Sequence, residues 1–304
     1  MTRFERSAWA FLAYLFAVIL FGAWVRISGS GDGCGNHWPL CQGEVVPVAP
    51  AAKTIIEFSH RLSSGLSGLF GLGLVWWAWR LDRRVFRASV AMLVMLLLEG
   101  LIGAVLVKKE LVAGDASTSR AIVVALHLCN TLLLTASAAA MAWWAGGTGR
   151  GFGSSSSSSR PAPSQALLAG MIVLLIATNA TGAVTALGDT LFPMQPALDG
   201  GLLANVREQI SPAHHFLVRL RIVHPLVAMA SVVLVGGALL WLMRISTLRL
   251  LKSALYAIAG QAALGFLNIA LGAPAWMQIL HLLAAQAVWV LVFLSVATLW
   301  NSRD

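Results

Sequence analysis

Apolar residues run through the chain in eight long blocks, at 7–27, 61–79, 88–107, 121–145, 165–187, 222–243, 253–272 and 277–300. Short stretches rich in charge, Gly or Pro separate them. Each block has about 20 residues, the length an α-helix needs to cross a ~30 Å hydrocarbon core. A chain inside that core must satisfy its own backbone hydrogen bonds, so each block is predicted to be a transmembrane helix. The first block follows Arg3 and Arg6. It exceeds the about 7–15-residue core of a secretory signal and has no clean small-x-small cleavage site, so it too is read as a membrane helix.

Between the fourth and fifth blocks lies a polar stretch, 146–164, with six consecutive Ser at 154–159. It reads as a flexible cytoplasmic linker between two halves, 1–145 and 165–304. The halves resemble each other. Gly22-Ala23 recurs as Gly182-Ala183, Glu99-Gly100-Leu101-Ile102-Gly103 corresponds to Gln261-Ala262-Ala263-Leu264-Gly265, His60 pairs with His224, and Leu126-His127-Leu128 pairs with Leu280-His281-Leu282. With four spans each, the halves share one topology, a parallel internal repeat about an axis along the membrane normal. The expected fold is an all-α integral membrane protein, with eight transmembrane helices forming two pseudo-symmetric four-helix bundles.

Composition supports this reading. Of 304 residues, 58% are hydrophobic and 11% charged, against about 45–50% and about 25% in soluble domains. Mean hydropathy is +0.80, and a water-soluble enzyme is excluded. The net charge of +9 does not point to nucleic acid, because the basic residues lie in short clusters between apolar blocks, where they set orientation. The clusters around Arg80, Arg83, Arg84 and Arg87 and around Arg244, Arg249 and Lys252 place both termini in the cytoplasm.

On that threading His60, His127, His224 and His281 begin the second, fourth, sixth and eighth spans, all near the outer face. Ionisable residues inside a membrane are costly and mark functional sites. One such histidine alone is well explained as an interfacial or packing residue; four, matched in pairs across a repeat, are not. Two histidines on neighbouring helices of a bundle clamp a haem iron from both faces, and the repeat supplies that arrangement twice. His37, His214 and His215 fall in outer loops and receive no role.

Glu57 precedes His60 by one helical turn, on the same face. A di-iron carboxylate centre needs Glu-x-x-His twice, and the second half has Arg221 at the position of Glu57. The asymmetry suggests an acid beside the first-half iron, for moving protons, positioning water or stabilising a cation. A helix-terminal charge favoured by the dipole is the competing explanation. Arg61, Arg219 and Arg221 lie at the level of haem propionates, or face lipid headgroups. Glu99, whose repeat mate is the neutral Gln261, is either a hydrogen-bonded structural group or part of a proton path. Cys34 and Cys41 lie in an outer, oxidising loop, where a disulfide is expected, structural or redox-active. Cys129 reads as a small buried apolar residue.

The stretch Gly29-Ser30-Gly31-Asp32-Gly33-Cys34-Gly35-Asn36-His37-Trp38-Pro39-Leu40-Cys41, followed by Glu57-Phe58-Ser59-His60-Arg61, resembles the first outer loop and second helix of the haem A synthases. The likeness extends over the whole chain. It implies an oxidoreductase that converts the C8 methyl of haem O into a formyl group by successive hydroxylations with water-derived oxygen, giving haem A for cytochrome oxidase. It further implies that His224 and His281 ligate a haem b cofactor, that His60 and His127 face or ligate the substrate haem O iron, and that Glu57 is the essential acid. The implied partners are a haem O synthase, cytochrome oxidase assembly factors, a membrane electron acceptor and further copies of the chain. The implied location is a bacterial-type inner membrane. Cys34 and Cys41 match the disulfide-bearing subgroup. A second cysteine pair, present in some members of that subgroup, has no counterpart in 188–220.

Two other functions fit two haem sites: an electron-transfer cytochrome b with equivalent permanent haems, and a haem-transfer or assembly protein. The Glu57/Arg221 asymmetry and the cysteine loop favour chemistry over both.

Overall fold

A computed structural model describes residues 1–147, 163–197 and 201–301. Most of the expected linker, 148–162, lies outside the described residues. The elements are α1 (Arg3–Ile27), α2 (Ala52–Ala78), α3 (Arg83–Lys108), α4 (Thr118–Ala145), α5 (Gln165–Leu191), α6 (Leu202–Ile210), α7 (Phe216–Leu220), α8 (Val223–Ile245), α9 (Arg249–Ala270) and α10 (Ala275–Asn301). Among the described residues the β-structure is an isolated bridge between Cys41 and Glu44.

Polar residues mark the helix starts. Thr2 and Glu5 form a capping box at α1, and the side chains of Asp82, Ser117 and Ser164 accept from the first turns of α3, α4 and α5. Each supplies an acceptor for an amide that has no carbonyl partner within the helix.

Among the described residues seven stretches are long and apolar enough to cross a membrane: α1, α3, α4, α5, the continuous 216–245 stretch holding α7 and α8, α9 and α10. The remaining long helix, α2, has 27 residues, but Ser63, Ser64, Gly65, Ser67, Gly68, Gly71 and Gly73 dilute its apolar character. It also starts nine residues before the expected 61, and so includes Lys53, Glu57 and His60. The loop before it packs tightly on that first turn, since a Cβ at Gly33 would come within 2.5 Å of the Lys53 backbone. Only glycine allows the approach. The short helices α6 and α7 were not anticipated from the apolar blocks.

Helix α1 packs against α2 and α4, α2 against α3, and α3 against α4; α5 packs against α8 and α10, α8 against α9, and α9 against α10. Helix α4 also meets α5 and α10, and α1 meets α10. The main core fills this junction with Phe11 and Leu15 of α1, Leu132 and Met141 of α4, Leu168 of α5, Leu239 of α8 and Trp289 of α10, all buried. Ala138, Ala139 and Ala142 allow close approach along α4, and the Trp289 indole donates to the Leu132 carbonyl at 2.7 Å. Outward positions such as Leu97, Leu101, Val173, Val233 and Phe266 are exposed. That much exposed apolar surface suits lipid rather than water.

Candidate functional site

His60, His127 and His281 lie deeper in their helices than the apolar blocks suggest, and His224, the second residue of α8, lies deep only in the longer 216–245 stretch. His60 is eight residues beyond Ala52, and His127 nine beyond Thr118, about 12–14 Å along the axis. His224 is eight residues beyond Phe216 in the 216–245 stretch, and His281 six beyond Ala275.

The neighbouring helix accommodates each α2-type histidine with a glycine. A Cβ at Gly22 of α1 would stand 3.0 Å from Cε1 of His60, and one at Gly182 of α5 would stand 3.0 Å from Cε1 of His224. The repeat detected in sequence is thus a pair of ring-on-glycine contacts. Around them the halves differ. Phe21 meets the edge of His60 at 5.7 Å between centroids, and His60 Nδ1 is buried without a hydrogen-bond partner among the described residues. At the matched place beside His224 stands Thr181. Nδ1 of His224 donates to the Thr178 carbonyl at 3.1 Å and lies 3.2 Å from Thr181 Oγ1. That contact places the ring proton on Nδ1 and leaves the Nε2 lone pair free, the usual preparation of a metal-ligating histidine.

His224 and His281 face each other with centroids 6.4 Å apart and planes at 84°. Two imidazoles sharing one metal through bonds of about 2 Å have centroids roughly 6 Å apart. The Gln261 amide reaches His281 Nε2 at 3.2 Å, and His281 Nδ1 is buried without a partner. In the first half, His127 Nδ1 lies 3.3 Å from Glu99 Oε1. Glu99 is held in turn by Asn130, which donates to Oε2 at 2.5 Å, and by the Thr131 hydroxyl. Among the described residues no group of three or more His, Cys, Asp or Glu side chains is placed to hold a bare metal ion. Of the candidate ligands, His224 and His281 face each other directly.

Glu57 is 3% exposed, and both its carboxylate oxygens accept hydrogen bonds. Oε2 accepts from the Cys34 backbone N–H at 2.8 Å, and Oε1 accepts from Arg61 Nε at 3.1 Å and Nη2 at 2.5 Å. Arg61 Nη1 donates onward to the carbonyls of His37 and Leu40. Cys34 and Cys41 are joined in a disulfide. Glu57 and Arg61 therefore fasten the disulfide loop to α2, one helical turn from His60.

Arg221, considered for a propionate, has its guanidinium committed elsewhere. Nε pairs with Asp189 at 2.8 Å, and Nη2 donates to the carbonyls of Gly188 and Phe192. Arg26 of α1 approaches the same end of α5, donating to the Ala186 carbonyl and the Thr190 hydroxyl, and also to Gln278 of α10. Nothing in the apolar pattern marked this buried charge cluster, since Asp189 lies just beyond the expected span 165–187, and it is the helix α5, extending to Leu191, that brings it inside. His215 stacks on Phe192 and caps α7. Cys129 is a partly exposed free thiol.

A family model described as a cytochrome oxidase assembly protein, COX15-CtaA, matches residues 5–293. A protein of Thermus thermophilus named protoheme IX farnesyltransferase is 44% identical over 98% of this chain and 49% of its own length. Proteins named heme A synthase from Alkalihalophilus pseudofirmus and Geobacillus kaustophilus are 48% and 50% identical, over 29% and 31% of this chain and 30% of each relative. The chain thus spans about half the length of the first of these curated relatives and aligns locally with the others. With its match over nearly the whole chain, the protein belongs to the COX15-CtaA family of cytochrome oxidase assembly proteins.

Proposed function

We propose that the chain is a haem A synthase, an oxidoreductase that converts the C8 methyl of haem O into a formyl group. The reaction consumes one water and releases four electrons and four protons, so it needs a membrane electron acceptor. The proposed architecture is two four-helix bundles, α1–α4 and α5 with α8–α10, with α2 as an eighth span. Both termini are cytoplasmic, and the disulfide loop and histidines are near the outer face.

The observation that carries the assignment of roles is the difference between His224 and His60. His224 is pre-oriented by Thr178 and faces His281 at a spacing suited to a shared metal; this suits a resident haem b, whose chemistry is electron transfer. His60 lies against Phe21 with its Nδ1 unpartnered. A site with a less tightly fixed ring suits a haem that enters as substrate and leaves as product, and His60 and His127 are its proposed ligands.

Glu57 lies on the His60 face of α2. With both oxygens already accepting, it acts as a fixed negative charge opposite positive charge developing on the methyl carbon, rather than as a freely moving proton carrier. The local likeness to proteins named heme A synthase supports the reaction. The relative named for farnesyl transfer to protohaem is about twice the length aligned here, which supports a haem O synthase as the supplier of substrate.

The test is to purify the full chain from cells co-expressing a haem O synthase, extract its haems and identify them by chromatography and mass. Haem A or its hydroxylated intermediate beside haem b is the expected result. Two haem b per chain, with haem O demonstrably available, would instead indicate an electron-transfer cytochrome.

A further inference from the structure

We infer that Glu99 is a positioning residue that makes the two iron sites electronically unequal by presenting a carboxylate to His127 where the second half presents an amide to His281. The inference rests on the reading above, that His60 and His127 bind the substrate haem iron.

Three observations converge on it. His127 Nδ1 is buried, has no hydrogen-bond partner among the described residues, and lies 3.3 Å from Glu99 Oε1, within ion-pair distance. Glu99 is fixed by its own partners: the Asn130 amide donates both to Oε2 and to the Met95 carbonyl, at 2.5 and 2.8 Å, and the Thr131 hydroxyl donates to Oε1. At the repeat-matched position Gln261 approaches His281 at 3.2 Å with a neutral amide, at Nε2 rather than Nδ1. The surroundings differ as well. A Cβ at Gly265 would lie 3.3 Å from His281 Cε1, whereas nothing lies within 4 Å of that position at the matched Gly103.

A carboxylate beside Nδ1–H favours positive charge on the ring and so raises the basicity of the opposite ring nitrogen. A more basic axial nitrogen stabilises the ferric over the ferrous state, and axial ligands and their partners are among the main controls of haem potential. The first-half iron is therefore biased toward the oxidised form relative to the second-half iron. A polar network serving only to join α3 and α4 would hold the helices together equally well with Gln at 99, and would not move a potential.

The experiment is a spectroelectrochemical titration, with electron paramagnetic resonance of the oxidised state, on the full chain purified with haem O supplied by co-expression. Three forms are compared: the unaltered chain, Glu99→Gln and Gln261→Glu. In Glu99→Gln the first-half haem is expected to become at least tenfold easier to reduce, about 59 mV for one electron, with the second-half haem unmoved. In Gln261→Glu the second-half potential is expected to fall. Unchanged potentials in Glu99→Gln, with both haems retained, overturn the inference. If Glu99→Gln loses its first-half haem or fails to fold, Gln261→Glu decides: a lowered second-half potential sustains the inference and an unchanged one overturns it. A chain that never acquires a first-half haem, even unaltered, defeats the underlying haem-site reading instead.

Discussion

Gly182 and His224 are so close that a Cβ on the glycine would stand 3.0 Å from Cε1 of the imidazole, and Gly22 and His60 repeat the contact in the other half. The ring has little room to give way, because Nδ1 of His224 is held by the Thr178 carbonyl. Gly182→Ala is expected to displace the ring and to cost about 1–3 kcal/mol by overpacking, outweighing the about 0.5–1 kcal/mol that Ala gains over Gly inside a helix. The check is haem content per chain, measured as the pyridine haemochrome. Gly182→Ala should lower it in the second half and Gly22→Ala in the first. Gly103→Ala, with nothing within 4 Å of the new atom, should leave it unchanged.

Glu57→Gln removes one charge and almost no volume. In either amide orientation the new NH2 faces a donor, the Cys34 N–H or the Arg61 guanidinium. Conversion of haem O is expected to be lost, with the second-half haem retained, because the altered contacts lie on α2 and its loop. Extracted haems, quantified per chain beside the unaltered protein, check both halves of the statement. Normal formation of haem A would remove Glu57 from the mechanism.

Much of this arrangement was legible in the sequence because it depends on identity and spacing. Four histidines, the Gly22/Gly182 pair and the Glu99/Gln261 substitution occupy matched places along the sequence, and in the structure Gly22 meets His60, Gly182 meets His224, Glu99 approaches His127 and Gln261 approaches His281. The start of α2 was not legible, since Lys53, Glu57, His60 and Arg61 make that segment polar. It is helical because Cys34 and Arg61 satisfy Glu57, and these are contacts that a hydropathy pattern does not register. Arg221 was misleading for the same reason. Its level in the membrane suggested a haem propionate or a lipid headgroup, whereas its partner, Asp189, lies 32 residues away in sequence.

The disulfide closes a short loop that also supplies the Cys34 N–H to Glu57 and the His37 and Leu40 carbonyls to Arg61. Removing a native disulfide typically costs 2–4 kcal/mol, and here the loss should spread to the first turns of α2. Cys34→Ser/Cys41→Ser is expected to lower the unfolding midpoint and to expose the amides of residues 33–61 to hydrogen exchange, while those of α9 and α10 keep their protection. Uniform exchange across both halves would show that the loop has no such local role.

Arg221 and Arg26 both converge on the last turns of α5, where Asp189 is the acidic group. The Asp189 and Arg221 side chains are 5% and 4% exposed, so each charge depends on the other rather than on water. Asp189→Asn keeps the shape and removes the charge, leaving two guanidiniums with neutral hydrogen-bond partners only. Breaking a buried pair from one side costs about 3–5 kcal/mol. Replacing both members, as in Asp189→Asn/Arg221→Met, removes the stranded charge and should recover part of that loss. Thermal unfolding of the single and double variants in detergent, followed by tryptophan fluorescence, forms a double-mutant cycle. A double variant less destabilised than the sum of the singles is expected. Strict additivity would mean that the two charges act independently, with the carbonyls of Gly188 and Phe192 sufficient to hold Arg221.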